Sequence, residues 1–445
     1  MDKRIVIVGA GVAGINAATK LVDNGYPGEL ITIIDKGNDP INRLPEEVMT
    51  GMLGAGGWSD GKLTYHTSIG GQLSKYCGEE KAMELMKQVV DNFTRFHPKP
   101  EEIFMSDPQE EPEFIKPYFG LRMFPVWHIG SNFLHEIAKT WYQYLLDKGV
   151  NFSWNVEVTE IDFKKNWVSY KNLTNTKENI GPFNITYTSG GLLYDELIFA
   201  VGKSGIDFAQ KLADDYKLPN EPKSVQIGVR FEAPQKYFQK LIDVSYDFKL
   251  YQKFDNVSLR SFCTNNNAAY VAVEETYGDL SYNGHAKKGE EFRNNMTNFG
   301  ILMEIKGIED PFAWSRDVVN KLQIDGKGLY YSPSRTVSKT SEGTDVTAHQ
   351  VKFLDGFKGA MGEYADYVLN FIDDMNKVFE FDDDWGMYIP EVKYLSPEPL
   401  VNYNDLSLTI YPNVHFVGDA LSARGITVSG AHGIYVAESL LNPSK

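Results

Sequence analysis

Three glycines near the start of the chain have the spacing of a phosphate-binding turn. Gly9, Gly11 and Gly14 form a Gly-x-Gly-x-x-Gly motif, and Asp35 follows the last of them by about 20 residues. In such a motif the first glycine permits a tight turn, the second lets the backbone approach a pyrophosphate, and the third lets a helix pack closely on a strand. An acidic residue at the position of Asp35 can accept hydrogen bonds from ribose hydroxyls. Together these residues predict a dinucleotide-binding site.

The segments around the motif are those that must position it. Residues 4–8 are a short β-branched run, which indicates a strand buried on both faces. A helical pattern follows in residues 15–21, and a second apolar run, residues 30–34, leads into Asp35. The helix that begins at the glycines would direct free N–H groups and the positive end of its dipole at the phosphates. Strand, turn, helix and strand in this order predict an α/β fold with a Rossmann-type parallel sheet.

Four further segments are candidates for the same site. The glycine-rich loop 54–63 could form a nest of backbone N–H groups that holds an anion. An apolar strand in the middle of the chain ends in Ala-Val-Gly at 200–202, and another near the C-terminus ends in Gly-Asp-Ala at 418–420. A glycine-containing stretch, residues 425–433, then leads into a final helix.

The order of these segments resembles that of FAD-binding proteins of the glutathione-reductase type. In that superfamily a loop like 54–63 surrounds the pyrophosphate and ribityl chain, and an aspartate in the position of Asp419 accepts a hydrogen bond from a ribityl hydroxyl. The backbone of Val158 would face the adenine. The helix after Gly425 would aim its N-terminus at the pyrimidine edge of the flavin and stabilise the anionic reduced ring. The motif and the resemblance together predict that FAD is bound by Gly9, Gly11, Ala13, Gly14, Asp35, Lys36, Gly56, Gly57, Ser59, Lys62, Val158, Ala200, Gly202, Gly418, Asp419, Gly425 and Ile426.

More narrowly, the chain is similar to a family of uncharacterised FAD-dependent dehydrogenases. The matching stretches are 56–63, 128–131, 227–234, 261–263, 283–284 and 425–427. Trp58 stands where the family usually has phenylalanine. The family usually has a second cysteine two residues after the position of Cys263, whereas this chain continues with Thr264 and three asparagines, so dithiol chemistry is not expected. Residues 286–390 match poorly, which indicates a diverged substrate site.

Four side chains are candidates for chemistry or substrate binding. His66 lies just past the glycine-rich loop and could reach the flavin ring, although an ordinary surface histidine is the commoner role. Cys263 follows an apolar strand and is a second catalytic candidate, with a small buried apolar side chain as the alternative. Arg230 and Arg260 lie in strand-like runs and could clamp a substrate carboxylate or phosphate. The sequence shows no metal-ligand pattern.

Composition limits the classes of partner. The 445 residues carry a net charge of −16 and no Lys/Arg-rich run, which disfavours nucleic acid and anionic membrane surfaces. Two cysteines, Cys77 and Cys263, argue against a disulfide framework. There is no secretory signal pattern, because the motif glycines interrupt the first apolar stretch, and no apolar run of about 20 residues. A cytoplasmic protein is therefore the expectation.

The patterns also predict how the chain is divided. A discontinuous FAD-binding domain is expected from residues 1–75, 125–205 and 390–445. Residues 76–124 begin as a helix and become Pro-rich and acidic, which indicates an excursion or lid. Residues 206–389 carry several strand-like runs and are expected to form a mixed β-sheet substrate domain, a roof over the flavin.

The expected activity is that of an FAD-dependent dehydrogenase or reductase that exchanges hydride between a small molecule and the flavin N5 atom. No second strand, glycine-turn and helix unit is present, so NADH or NADPH would bind only transiently, or an electron-donor protein would supply electrons. The alternatives are a flavin monooxygenase and a non-catalytic FAD-bound redox sensor or binding protein. Residues 385–390 match the Trp-x-Trp-x-Ile-Pro motif of flavin-dependent halogenases only in part, so halogenation is not expected.

Overall fold

A computed structural model describes most of the chain as two compact units. The described residues are 3–44, 47–59, 61–173, 178–180, 183–185, 189–221, 225–267, 269–276, 279–286, 293–324, 326–335, 340, 347–348, 350–393 and 398–442. Unit 1 comprises Met1–Met105, Trp127–Pro222 and Ser396–Lys445. Unit 2 comprises Ser106–Val126 and Lys223–Leu395.

The α-helices of the described residues are, in chain order, α1 (Val12–Asp23), α2 (Leu73–Cys77), α3 (Glu79–Arg95), α4 (Leu134–Asp147), α5 (Ile206–Asp215), α6 (Gln239–Ile242), α7 (Pro311–Lys321), α8 (Gln350–Met361), α9 (Tyr364–Phe379) and α10 (Ile426–Leu441). The first half of the strands comprises β1 (Ile5–Val8), β2 (Ile31–Ile34), β3 (Lys62–Thr64), β4 (Phe104–Ser106), β5 (Gly120–Met123), β6 (Val126–His128), β7 (Asn151–Ser153), β8 (Val156–Asp162), β9 (Trp167–Asn172), β10 (Glu178–Ile180), β11 (Phe183–Ile185), β12 (Ser189–Leu193) and β13 (Glu196–Phe199). The second half comprises β14 (Asn220–Glu221), β15 (Val225–Pro234), β16 (Phe248–Lys253), β17 (Val257–Asn267), β18 (Ala269–Thr276), β19 (Asp279–Ala286), β20 (Met296–Ile305), β21 (Leu329–Tyr331), β22 (Thr347–Ala348), β23 (Gly386–Lys393), β24 (Glu398–Pro399), β25 (Ser407–Leu408) and β26 (Tyr411–Phe416).

A parallel sheet forms the centre of unit 1. Its strand order is β25-β26-β13-β1-β2-β7, and every pairing is parallel except that of β25 with β26. The short strands β1 and β13 are buried along their whole length, which explains their continuous apolar sequences. The connection from β1 through α1 to β2 joins neighbouring parallel strands. The predicted α/β fold with a Rossmann-type parallel sheet is thereby confirmed.

Helices α1, α3 and α10 pack together in unit 1. The closest approach is at Gly433 of α10, where a Cβ atom would lie 2.0 Å from the carbonyl oxygen of Ala13. A Cβ at Gly430 would lie 2.8 Å from Val89 of α3. Helix α3 is amphipathic, and its buried face joins the core of unit 1. Residues 76–105 therefore belong to unit 1, whereas the sequence placed them in a separate excursion, because the apolar face of α3 is buried against α10.

Unit 2 is built on a mixed β-sheet, as predicted for the second domain. The order is β22-β21-β23-β15-β20-β17-β16-β5, with β21 and β22 parallel and the other pairings antiparallel. Alternate residues of β15, among them Val229 and Phe231, join a core with α7, α8 and α9. The edge strand β5 comes from the segment predicted as a lid, and α5 belongs to unit 1. The unit boundaries therefore differ from the predicted ones at 106–126, 206–222 and 390–395.

A buried ionic network ties the start of β13 to β26. Glu196 is 5% exposed and accepts from Lys3, and Nε2 of His415 lies 3.2 Å from the Glu196 carboxylate. Nδ1 of His415 lies 2.9 Å from the carbonyl oxygen of Asp405. Burial alone raises the pKa of Glu196, but the hydrogen bonds from His415 and Lys3 outweigh it and leave this pKa below its usual range.

We expect Glu196→Gln to lower the free energy of unfolding by about 1–2 kcal/mol at neutral pH. Because folding lowers the pKa of Glu196, the contribution of its carboxylate to the free energy of unfolding is fully present above the unfolded pKa of about 4.3. This contribution is lost as the pH falls through the folded pKa. The measurement is the urea midpoint of the wild type and the variant at about pH 7 and about pH 3.5. The difference in urea midpoint between the wild type and the variant should be smaller at the lower pH. Glu102→Gln, which breaks an exposed pair with Lys99, is the control and should leave the midpoint unchanged. A difference that is the same at both pH values would contradict this account.

Candidate functional site

A cavity of about 540 Å³ lies in unit 1 where the parallel strands end. Val8, Ile34 and Ala200 line it at the carboxyl ends of β1, β2 and β13, and Gly418 lines it just after β26. Ligands of open α/β sheets bind outside the carboxyl ends of the strands, because the loops and helix N-termini that follow the strands meet there. We call this space the strand-end cavity.

The strand-end cavity collects most of the predicted cofactor residues from four distant parts of the chain. Those that line it are Gly9, Gly11, Ala13, Asp35, Lys36, Gly56, Ser59, Val158, Ala200, Gly202, Gly418, Asp419, Gly425 and Ile426. Gly14, Gly57 and Lys62 are not part of the lining. Asp60 of the glycine-rich loop lies outside the described residues.

The first glycine turn has the geometry that its sequence requires. Gly9 has φ +109°, and a Cβ atom there would lie 2.3 Å from the carbonyl oxygen of Ala200. A Cβ at Gly14 would lie 2.2 Å from the Gly9 carbonyl oxygen and 2.9 Å from Cγ2 of Ile7. Gly14 thus contributes by close helix–strand packing and needs no place in the cavity wall.

Two helices begin at the wall of the strand-end cavity. The N-cap residues are Gly11 for α1 and Gly425 for α10, and neither first turn contains an acidic residue. Since both N-caps are glycines, no N-cap side chain occupies the first backbone N–H groups. These groups and the positive dipole ends of both helices are therefore available to an anion in the cavity.

Asp35 is committed largely to the backbone. Its Oδ2 accepts a hydrogen bond of 2.8 Å from the N–H of Ala10, and its Oδ1 accepts from Gly37 and Gly51, also at 2.8 Å. The carboxylate therefore joins the glycine turn to the loop after β2 and to the loop that contains Gly51. Oδ2 accepts one described hydrogen bond and Oδ1 accepts two, so Oδ2 retains one acceptor position, and the ribose contact stays a prediction.

Arg43 organises the loop before the glycine-rich segment and was missed by the sequence analysis. Its guanidinium donates to the carbonyl oxygens of Glu47, Met52 and Gly54, with Nη1 to Met52 at 2.6 Å and Nη2 to Gly54 at 2.8 Å. Burial lowers the pKa of Arg43 to about 10. Gly57 packs against this guanidinium rather than against the cavity. An isolated arginine in a loop gives no sequence signal for this role.

Asp419 lies in the short helical turn after β26. Burial raises the pKa of its carboxyl group, and the positive charges of Arg424 and Lys203 oppose this effect. Nη1 of Arg424 lies 3.5 Å from Oδ1 of Asp419. Lys203 itself lines the cavity, next to the predicted Gly202, and is the second cation that the sequence analysis missed.

The predicted catalytic candidate in unit 1 lies away from the cavity lining. His66 is exposed, and its Nδ1 faces the backbone N–H and hydroxyl of Ser68 at 3.1 and 2.9 Å. The imidazole ring of His66 thus contacts the turn that directly follows it in the chain. A role in chemistry therefore stays a prediction without support from the geometry.

The three predicted site residues in unit 2 differ in burial and in hydrogen bonding. Arg230 is fully buried and donates through Nε and Nη2 to Asn298, at 3.1 and 2.6 Å, and through Nη2 to the Cys263 carbonyl oxygen. Nη1 of Arg230 lies 3.6 Å from Oε1 of Glu391, and both side chains are fully buried. The geometry therefore shows a structural role for Arg230, and the substrate clamp stays a prediction without support from the geometry. Cys263 is half-buried with φ +52°. Arg260 is exposed and donates to Gln226 at 2.9 Å.

Comparisons with known proteins give distant structural likenesses. No protein-family model and no curated protein matches the chain. A flavoprotein/dehydrogenase from Cytophaga hutchinsonii aligns at 10% identity and a TM-score of 0.40, covering 99% of this chain and 79% of that one. Glycine oxidase from Geobacillus kaustophilus aligns at 12% identity and a TM-score of 0.40, covering 100% and 95%. The flavin-dependent halogenase CmlS aligns at 10% identity and a TM-score of 0.42, covering 99% of this chain but only 56% of the halogenase. Similarity at this level assigns neither a cofactor nor a reaction.

In the part of the chain that the structure describes, no helix combines the length and the apolar character needed to cross a membrane.

Proposed function

We propose that the strand-end cavity binds FAD and that the chain is an FAD-dependent oxidoreductase acting on a small molecule. One observation carries the proposal: two helix N-termini without capping side chains open onto a single cavity that is lined by every separated glycine segment. A dinucleotide needs this combination, because its pyrophosphate requires donors and its two ends require separate pockets.

The residues present fit FAD. The N-terminus of α1, behind Gly11, would hold the pyrophosphate, and the lining backbone around Val158 would face the adenine. Asp419 would accept a hydrogen bond from the ribityl chain, and the N-terminus of α10 would face the flavin ring. The cavity volume of about 540 Å³ lies within the range of small-molecule sites.

Bound FAD would supply hydride acceptance and return, which no amino-acid side chain offers. The chain would supply the rest. The positive end of the α10 dipole lowers the cost of negative charge next to Gly425 and Ile426. Lys203 and Arg424 compensate the charge of Asp419. Within this class we favour a dehydrogenase or reductase, with electrons exchanged with NADH, NADPH or a donor protein. A flavin monooxygenase is the alternative that the same site would support.

The purified protein is expected to show absorption bands at about 370 and 450 nm, as a bound oxidised flavin does. The test is a visible spectrum before and after addition of FAD and removal of the unbound fraction, followed by anaerobic NADH or NADPH and then air. Bleaching by nicotinamide would support a self-sufficient reductase or monooxygenase. Bleaching by a candidate substrate alone would support a dehydrogenase. A protein that neither contains nor retains FAD would refute the proposal.

A matched pair of variants links the bound flavin to this cavity. Gly56 lines the cavity, and a Cβ atom there would lie 2.4 Å from Cγ2 of Val12. Gly56→Ala should therefore displace the glycine-rich loop and weaken FAD binding by about tenfold, the effect of a modest overpacking cost. Gly356→Ala, in α8 of unit 2, has only an ordinary contact of 3.8 Å and should bind FAD as the wild type does.

A further inference from the structure

One lysine of the strand-end cavity lies between two parts of the proposed cofactor site. Lys203 lines the cavity directly after Gly202, in the short helical turn that follows β13. In the parallel sheet β13 lies between β1 and β26, so this turn begins between the glycine turn after β1 and the turn after β26 that carries Asp419. Lys203 is thereby placed between the part of the cavity assigned to the pyrophosphate and the part assigned to the ribityl chain.

Close backbone contacts hold the two neighbouring turns against the end of β13. A Cβ atom at Gly9 would lie 2.3 Å from the carbonyl oxygen of Ala200. On the other side, the N–H of Val417 donates to the carbonyl oxygen of Phe199 at 3.1 Å. The three turns therefore meet at one place, and a ligand that spans the outer two passes the segment of Lys203.

The backbone that carries Lys203 is held in place by a second lysine. Nζ of Lys36, which follows β2, donates to the carbonyl oxygen of Ser204 at 3.2 Å. The N–H of Gly205 donates to the carbonyl oxygen of Gly202, also at 3.2 Å, and closes the turn. The ammonium group of Lys36 is thus directed at the protein backbone, and it fixes the turn from which Lys203 extends.

Acidic side chains outnumber lysines in the described wall of the cavity. The lining contains two lysines, Lys36 and Lys203, and four acidic residues, Asp35, Glu157, Asp207 and Asp419. Burial raises the pKa of Asp419, and the positive charges of Arg424 and Lys203 oppose this effect, so Lys203 acts on the charge inside the cavity. A pyrophosphate adds further negative charge, which is costly where water is excluded. A cation next to it lowers that cost.

We propose that Lys203 binds the pyrophosphate of the cofactor and makes the strand-end cavity selective for a dinucleotide over a flavin without phosphate. An ammonium group is a compact charge with three donors, which suits the several oxygens of a pyrophosphate. The N-terminus of α1 supplies only a partial charge to the same group. The inference rests on the proposed function, because FAD is the ligand whose two halves would lie on either side of Lys203.

The test is isothermal titration of the full-length protein, freed of bound flavin, with FAD, ADP and riboflavin. ADP has the pyrophosphate without the ribityl chain, and riboflavin has the ribityl chain without phosphate. Lys203→Met should weaken the binding of FAD and of ADP by at least about tenfold, as the loss of a charge-assisted hydrogen bond does, and should leave riboflavin binding unchanged. Lys203→Arg keeps the charge and should recover most of the affinity.

Lys211→Met is the matched control. Lys211 lies on an exposed face of α5 and pairs with Asp215 at 2.6 Å, so this variant removes the same charge outside the cavity and should leave all three affinities unchanged. If Lys203→Met weakened the binding of FAD but not of ADP, Lys203 would act through Asp419 and the proposal would be overturned. Unchanged FAD binding would also overturn it. If circular dichroism shows that Lys203→Met does not fold, Lys203→Gln decides.

The wild type separates this inference from the proposed function. Wild-type protein that binds ADP but not FAD, with ADP binding weakened by Lys203→Met, would contradict the proposed function and leave the role of Lys203 standing. Wild-type protein that binds FAD with the same affinity as Lys203→Met would do the reverse. Wild-type protein that binds neither ligand would refute both.

Discussion

Gly433→Ala is expected to lower the free energy of unfolding by about 2–3 kcal/mol, at the upper end of overpacking effects. The added Cβ atom would lie 2.0 Å from the backbone oxygen of Ala13, and a backbone atom cannot turn aside as the end of a side chain can. Helices α1 and α10 must then separate. Because both helices begin at the strand-end cavity, FAD binding should weaken together with stability. The measurement is urea-induced unfolding followed by circular dichroism, with FAD retention read from absorbance.

Gly359→Ala provides the matched control for this prediction. Gly359 also lies inside a helix, α8, but a Cβ atom there meets nothing within 4 Å. The same substitution should therefore stabilise the protein by up to about 1 kcal/mol, because alanine favours the helix more than glycine does. If Gly433→Ala unfolded at the wild-type urea concentration, the close crossing of α1 and α10 would not exist in solution.

Asp35→Asn is expected to have a comparable effect, about 2–4 kcal/mol on the free energy of unfolding. Both carboxylate oxygens of Asp35 accept backbone N–H groups, from Ala10 on one side and from Gly37 and Gly51 on the other. Whichever way the asparagine amide is oriented, its NH₂ group faces at least one of these donors. Two loops that line the strand-end cavity lose their anchor, so FAD binding should also weaken.

Asp39→Asn is the control for the loss of one negative charge, because it removes a carboxylate without removing a backbone anchor of the cavity loops. Asp39 accepts the backbone N–H groups of Ile41 and Asn42 through Oδ1, which an asparagine oxygen can replace. Its Oδ2 accepts only from the exposed side-chain amide of Asn42, which can rotate to present its own oxygen. Its effect should stay within about 0.5 kcal/mol, as for most surface changes. The decisive sample is the FAD-free protein. If Asp35→Asn weakened FAD binding but left the FAD-free protein as stable as the wild type, Asp35 would act on the ribose and not on the backbone.

The predictions for the nucleotide fold were correct where the sequence pattern lies within one short stretch of the chain. Strand β1, the turn at Gly9 and helix α1 lie within one short stretch, and the conformational limits of glycine together with buried β-branched residues leave few alternatives. The boundary of the first domain was less accurate. The amphipathic pattern of α3 predicts a helix with one apolar face but cannot name the surface that covers it, which in the structure is α10.

The candidate side chains show the same difference between local patterns, which the sequence reveals, and tertiary contacts, which it does not. Arg230 and Arg335 are both arginines of unit 2, and the sequence favoured Arg230 because it lies in a strand-like run. Only the packed structure shows that Nε and Nη2 of Arg230 donate to Asn298 and Cys263, whereas Nε and Nη2 of Arg335 have no hydrogen-bond partner among the described residues. Hydrogen-bond partners that lie 33 and 68 residues away along the chain leave no periodic pattern to detect.

By itself the sequence determined the parallel α/β core, the mixed second sheet and the glycine segments that line one cavity, because each depends on backbone conformation and on patterns of burial within short stretches. The tertiary structure alone decided which polar groups remain free for a ligand. Asp35 is largely occupied by backbone N–H groups, and Arg43 holds a loop through carbonyl oxygens. The availability of a donor or acceptor is set by its neighbours in space, and those neighbours come from distant parts of the chain.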